Sequence, residues 1–124
     1  MSSITDFQTD TRHRAFIITI NGFAGAESAA NFVGNLKNEV SKLNPSEYTL
    51  IADGAQLKTF KPEILPILEK SYALYTSLGF KKVFIVNPER VTPRLQCKRI
   101  AKNVGFTGEF ISSLQEALEV AASI

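Results

Sequence analysis

Residues 48–68 read YTLIADGAQLKTFKPEILPIL. The stretch opens on an apolar run, Tyr48–Ala52, with the composition of a strand. The run stops at Asp53-Gly54. A loop carrying Lys58, Thr59 and Lys61 follows, and then helical spacing begins. Strand, loop and helix in this order form the unit from which parallel sheets are built. The fold depends on whether the unit recurs on either side.

It recurs on both. Upstream, AFIITI (Ala15–Ile20) is a continuous apolar run closed by Asn21-Gly22, as expected of a strand covered on both faces. A helix over Glu27–Leu43 follows, with Ala29, Phe32, Val33, Leu36, Val40 and Leu43 on one face and Asn44-Pro45 as its stop. Before AFIITI, residues Ile4–Thr9 have weaker strand character, and TRHR between the two runs is a candidate hairpin turn. That first strand would pair antiparallel with the second.

Downstream, Glu63–Leu78 has helical spacing and ends at Gly79. Pro66 requires the helix either to begin near Leu65 or to kink there, because proline lacks an amide donor and crowds the previous turn. KVFIV (Lys82–Val86) is the next strand. Thr92-Pro93 reads as a capping hydroxyl followed by a first-turn proline, and the helix it opens ends at Gly105. GEFI (Gly108–Ile111) is a short strand. Ser113 and Glu116 have the spacing of a capping box at the start of a last helix. The expected fold is therefore α/β, a four- to five-stranded, mainly parallel sheet with about four helices in a single domain spanning 1–124.

The 124 residues suffice to bury a core without disulfides or metal. An apolar fraction of 44% and a charged fraction of 21% are ordinary for a soluble globular chain, and a net charge of +2 specifies no nucleic-acid or membrane partner. The single cysteine, Cys97, forms no intrachain bridge and fits a reducing compartment. With no signal-like segment and no apolar run of spanning length, the expected location is cytoplasmic.

Chemistry is harder to find. Open parallel sheets bind ligands beyond the carboxyl ends of their strands. Those ends offer Asp53, Lys58, Thr59, Lys61, Asn87, Arg90 and Thr92, a set able to hold a small anion, and the alternative to a protein-contact module is a binder of a small ligand there, an anion, a nucleotide or a lipid. Neither a GxGxxG loop nor a phosphate loop ending in Lys-Ser/Thr occurs. His13, the only histidine, falls in the hairpin turn between two arginines. Cys97 falls on an apolar helix face. No nucleophile, base or metal set follows from these residues, so neither an enzyme nor a cofactor is expected.

Arg94, Lys98 and Lys102 form a basic stripe with Arg99 beside it, but no aromatic residues interleave to stack on bases, which disfavours nucleic acid. Leu65 and Tyr72 lie seven residues apart on the flank of their helix. They either rim the core or anchor a protein partner or a second copy, as in a homodimer.

The chain also resembles a known family. LGFKKVFIVNP (Leu78–Pro88), RLQCKRIAKNVGF (Arg94–Phe106) and FISSLQEALEVA (Phe110–Ala121), together with a strand ending at Asp53, are similar to STAS domains. That family is named for sulfate transporters and anti-anti-sigma factors, and the likeness is nearest to its stand-alone bacterial members. The resemblance covers nearly the whole chain and implies a regulatory module that acts through protein contact. In anti-anti-sigma factors an Asp-Ser pair after this loop is the phosphorylation switch. Here the pair falls near Lys61-Pro62, so the resemblance comes without the phosphorylatable serine.

Overall fold

Strand β1 (Thr5–Asp10) runs antiparallel to β2 (Ala15–Ile20), with Asp10 paired to Ala15 and Phe7 to Ile18. A computed structural model of the chain describes residues 5–22, 26–58 and 61–124, so Ile4 of the expected edge strand lies outside the described residues. Residues 11–14 form the turn. Arg14 takes a left-handed φ of 54° there, and its carbonyl accepts from Thr49 N–H at 2.9 Å.

The turn is braced by Asp10, whose Oδ1 accepts from the His13 amide at 3.0 Å while Oδ2 lies 2.8 Å from His13 Nδ1. The amide bond chiefly holds the Asp10 carboxyl below its ordinary pKa, with the imidazole adding to it. A depressed carboxyl stabilises the fold above its unfolded-state value, and that stabilisation is lost as pH falls through the folded-state value. Asp10→Asn should therefore lower the melting temperature at neutral pH. The gap to the parent should close in acid, which melting curves across the acid range would show.

Beyond β2 come α1 (Ala26–Val40), β3 (Thr49–Asp53), α2 (Leu65–Ser77), β4 (Lys82–Val86), α3 (Val91–Val104), β5 (Glu109–Ile111) and α4 (Leu114–Ser123). The sheet has five strands in chain order, β1 to β5. It is mixed rather than wholly parallel, because only β2 to β5 run in one direction. Crossovers between neighbouring parallel strands are right-handed, and the strand order never reverses. The three crossover helices therefore gather on one face and α4 takes the other.

The alternation of strand side chains matches this split. Phe16, Ile18, Leu50, Ala52, Val83 and Ile85 point into a core with α1, α2 and α3. Ala15, Ile17, Ile51, Phe84 and Val86 form a second core, against Ala117 and Ala121 of α4. With both faces covered, the three central strands need apolar residues at nearly every position, as in AFIITI.

Helix α1 is shorter than expected. Its last residues leave the regular pattern at Val40 and continue as tighter turns, with Lys42 N–H on Glu39 O and Leu43 N–H on Val40 O, both 3.2 Å. At Pro66 the chain does not kink. A 3₁₀ turn over Pro62–Ile64 precedes α2, so Pro66 sits in the first turn, where the missing amide breaks no bond. Helix α3 ends as expected: Gly105 has a φ of 64°, and Phe106 N–H reaches Ala101 O at 2.9 Å. Its start differs. Arg90, in extended backbone, is the N-cap, and Thr92 lies inside the first turn without capping it. In α4 the Ser113 side chain caps the Glu116 amide at 3.1 Å, while the Glu116 carboxylate accepts from Ser112.

Candidate functional site

The loops after β3, β4 and β5 meet at the carboxyl edge of the sheet. Asp53 ends β3, half-buried, and its Oδ1 accepts from Ala55 N–H at 3.2 Å, which turns the chain. Leu57 then folds back over the loop and is buried. Gly54 makes room for it, since a Cβ there would come within 2.7 Å of Leu57 Cδ1. Glu89 N–H donates to Ala55 O at 3.0 Å and Gln56 Nε2 to Glu89 Oε2 at 3.3 Å, tying the second loop to the first. Asn87 N–H donates to Ile111 O at 2.9 Å, tying the third. The edge is thus one stitched surface rather than three independent loops.

Lys58, Lys61, Arg90 and Thr92 are all exposed on or beside this edge. Thr59 lies outside the described residues. Lys61 stands in extended backbone ahead of the 3₁₀ turn, and Pro62 opens that turn. These side chains share an edge, and no hydrogen bond or ion pair joins them to one another among the described residues.

Helix α3 leaves β4 toward one face and α4 leaves β5 toward the other, so the carboxyl ends of these two strands are flanked by helices on opposite faces. An open cleft of about 600 Å³ lies there, lined by Asn87, Pro88, Glu89, Arg94, Lys98 and Ser112. Arg94 is held in place: its Nε donates to Pro88 O at 3.0 Å and its Nη2 to Glu89 O at 2.8 Å. Asn87 Oδ1 is buried and has no partner among the described residues. Sequence reasoning located the β4 end of this crevice but missed Ser112. The crevice becomes visible only once the faces of α3 and α4 are known.

The anchor pair divides. Leu65 is half-buried and packs against the main core. Tyr72 is only 6% exposed and is not a surface anchor. Its ring lies 5.7 Å from that of Tyr75 and 5.4 Å from that of Phe106, with Cys97 beside it. The correction has a simple cause: α3 packs along α2 and covers the flank on which Tyr72 stands. Burial pushes both Tyr72 and Tyr75 above the usual tyrosine range and raises Cys97, the last partly offset by the neighbouring Tyr72. All three stay neutral near pH 7. Cys97 is the small core residue expected.

The Tyr75 hydroxyl is buried without a partner. Leaving a buried donor unsatisfied costs about 1–3 kcal/mol, whereas an apolar group of the same shape costs nothing there. Tyr75→Phe should therefore match or exceed the parent by up to about 1–3 kcal/mol in urea titration. A loss of stability of that size would mean the hydroxyl has a partner.

Two exposed residues escaped notice in the sequence. Val91 and Leu95 are 63% and 61% exposed on the outer face of α3. Their signal was the four-residue spacing opposite Cys97 and Ile100. His13 is committed to Asp10 in the turn, and no group of three His, Cys, Asp or Glu among the described residues is placed to hold a metal. Compared with known proteins, the chain matches no family model and no curated protein.

Proposed function

We propose that this domain is a STAS-like interaction module, without enzymatic activity, that regulates by protein contact. The observation that carries the reading is the stitched carboxyl edge. Backbone hydrogen bonds between loops fix their relative positions before any partner arrives, so little ordering cost remains at binding. The edge presents Gln56, Lys58, Lys61 and Glu63 to solvent, and Leu65 is half-buried beside them. The order β4, α3, a three-residue β5 and a helix opening at Ser113 follows the pattern on which the STAS resemblance rests. With Pro62 where a switch serine would stand, regulation by phosphate at that position has no acceptor.

The test uses the full chain as bait in its host lysate, with Lys58→Glu/Lys61→Glu as the control. Both side chains are exposed, so the control keeps the fold, which circular dichroism verifies. A protein retained by the parent and lost by the control supports this reading. Identical captures refute this surface.

A second reading is favoured by the cleft at the ends of β4 and β5, where Asn87, the fixed Arg94 and Lys98 converge. It makes the domain a binder of small anionic ligands. Under it, Arg94→Ala abolishes ligand-induced thermal stabilisation while the Lys58/Lys61 control leaves it intact.

A further inference from the structure

The outer face of α3 lies outside the core and adjoins the stitched edge at Arg90 and the cleft at Lys98. Pro93, Cys97, Ile100 and Ala101 are buried against the sheet and α2, and the opposite side of the helix is open. There Val91 and Leu95 project, two of the three large apolar side chains most exposed among the described residues. Around them stand Arg90, Lys98, Arg99 and Lys102, all exposed. No acidic residue occurs between Arg90 and Lys102, and none of these four cations has an ion pair among the described residues. The face is a ridge along one line of the helix, apolar at Val91 and Leu95 and cationic beyond them at Lys98 and Lys102, with Arg99 beside it.

We infer that this ridge docks the domain onto an anionic lipid surface. Complementarity of charge requires a negative partner and rules out a second copy laid ridge to ridge, which would press like charges together. A protein interface core is depleted in lysine and enriched in aromatic residues, and this ridge has the reverse composition. A nucleic-acid backbone answers the cations but leaves Val91 and Leu95 without a role. A lipid headgroup layer takes both. Flexible lysines meet phosphates without fixed geometry, and short aliphatic tips enter between headgroups. No helix among the described residues is long and apolar enough to cross a membrane, so the contact is peripheral. Attraction of this kind falls off within a Debye length, about 10 Å at 0.1 M salt, and so yields to salt.

The experiment is co-sedimentation of the full chain with vesicles of phosphatidylcholine, and with vesicles of phosphatidylcholine and phosphatidylglycerol in equal parts. Binding is expected to the anionic vesicles only, and to weaken as salt rises. Lys98→Ala and Lys102→Ala should each lower partitioning by about fivefold, the effect of one charge near an anionic surface. Leu95→Ser should lower it further at high salt, where the apolar end of the ridge carries more of the binding. Lys58→Glu, on the stitched edge, should leave it unchanged. Failure to sediment with anionic vesicles overturns the proposal, as does equal binding to both kinds. So does a Lys58→Glu loss as large as that of Lys98→Ala, which would move the contact to the edge. The outcomes at Lys98, Lys102 and Leu95 do not bear on the lysate capture, whose control leaves α3 intact.

Discussion

Tyr72→Asp unfolds the domain. The ring is buried between α2 and α3 against Tyr75 and Phe106. Removing a buried aromatic costs about 3–5 kcal/mol. A carboxylate in its place has no cation in the pocket, and an unpaired buried charge adds several kcal/mol, on the order of the whole 5–15 kcal/mol that keeps a domain folded. Loss of the near-ultraviolet dichroism and of the urea transition is the expected result. Tyr72→Phe, which removes only the hydroxyl, should cost about 1 kcal/mol or less. A Tyr72→Asp variant with the parent's urea midpoint would mean that α3 does not cover this ring. The substitution is therefore a probe of the core and a poor probe of binding, for which the exposed lysines serve.

Phe16→Ala carries the second largest effect. Phe16 is the middle of an aromatic row. Its centroid lies 6.0 Å from Phe7 and 5.8 Å from Phe80, and Phe7 continues to Phe32 at 5.7 Å. Truncation should cost about 3–5 kcal/mol, read as a lower urea midpoint. It should also loosen β1 selectively. That strand has polar residues at five of its six positions, and Phe7 is its one large apolar side chain. Amide exchange in Thr5–Asp10 should accelerate beyond what the global loss explains. Uniform acceleration across all five strands would mean that the row does not hold β1 to the core.

The central strands were legible because burial on both faces leaves a plain mark. KVFIV became β4 with the same limits, and AFIITI became β2. Gly105 and Ser113 were legible for local reasons, one supplying a left-handed stop and the other a side-chain cap. Thr92 misled because proline is tolerated throughout the first helical turn, so Thr-Pro does not say which residue is the cap. Tyr72 and Leu65 lie on one line of α2 in sequence, yet one is buried and the other half-exposed. The difference comes from α3 and Phe106, distant in the chain, and helical spacing reports only a residue's own helix. The crevice between β4 and β5 was hidden for the same reason: it depends on which face each helix takes.

Among the described residues α4 is the only helix on the second sheet face, and it follows all five strands in the chain. On a ribosome, Ile17, Ile51, Phe84 and Val86 emerge well before Ala117 and Ala121 do. The nascent domain thus passes through a stage with one face closed by three helices and the other bare. Such a surface is what holding chaperones bind and what aggregating intermediates share. Translation speed across the last strand and helix therefore sets how long the newborn protein stays vulnerable.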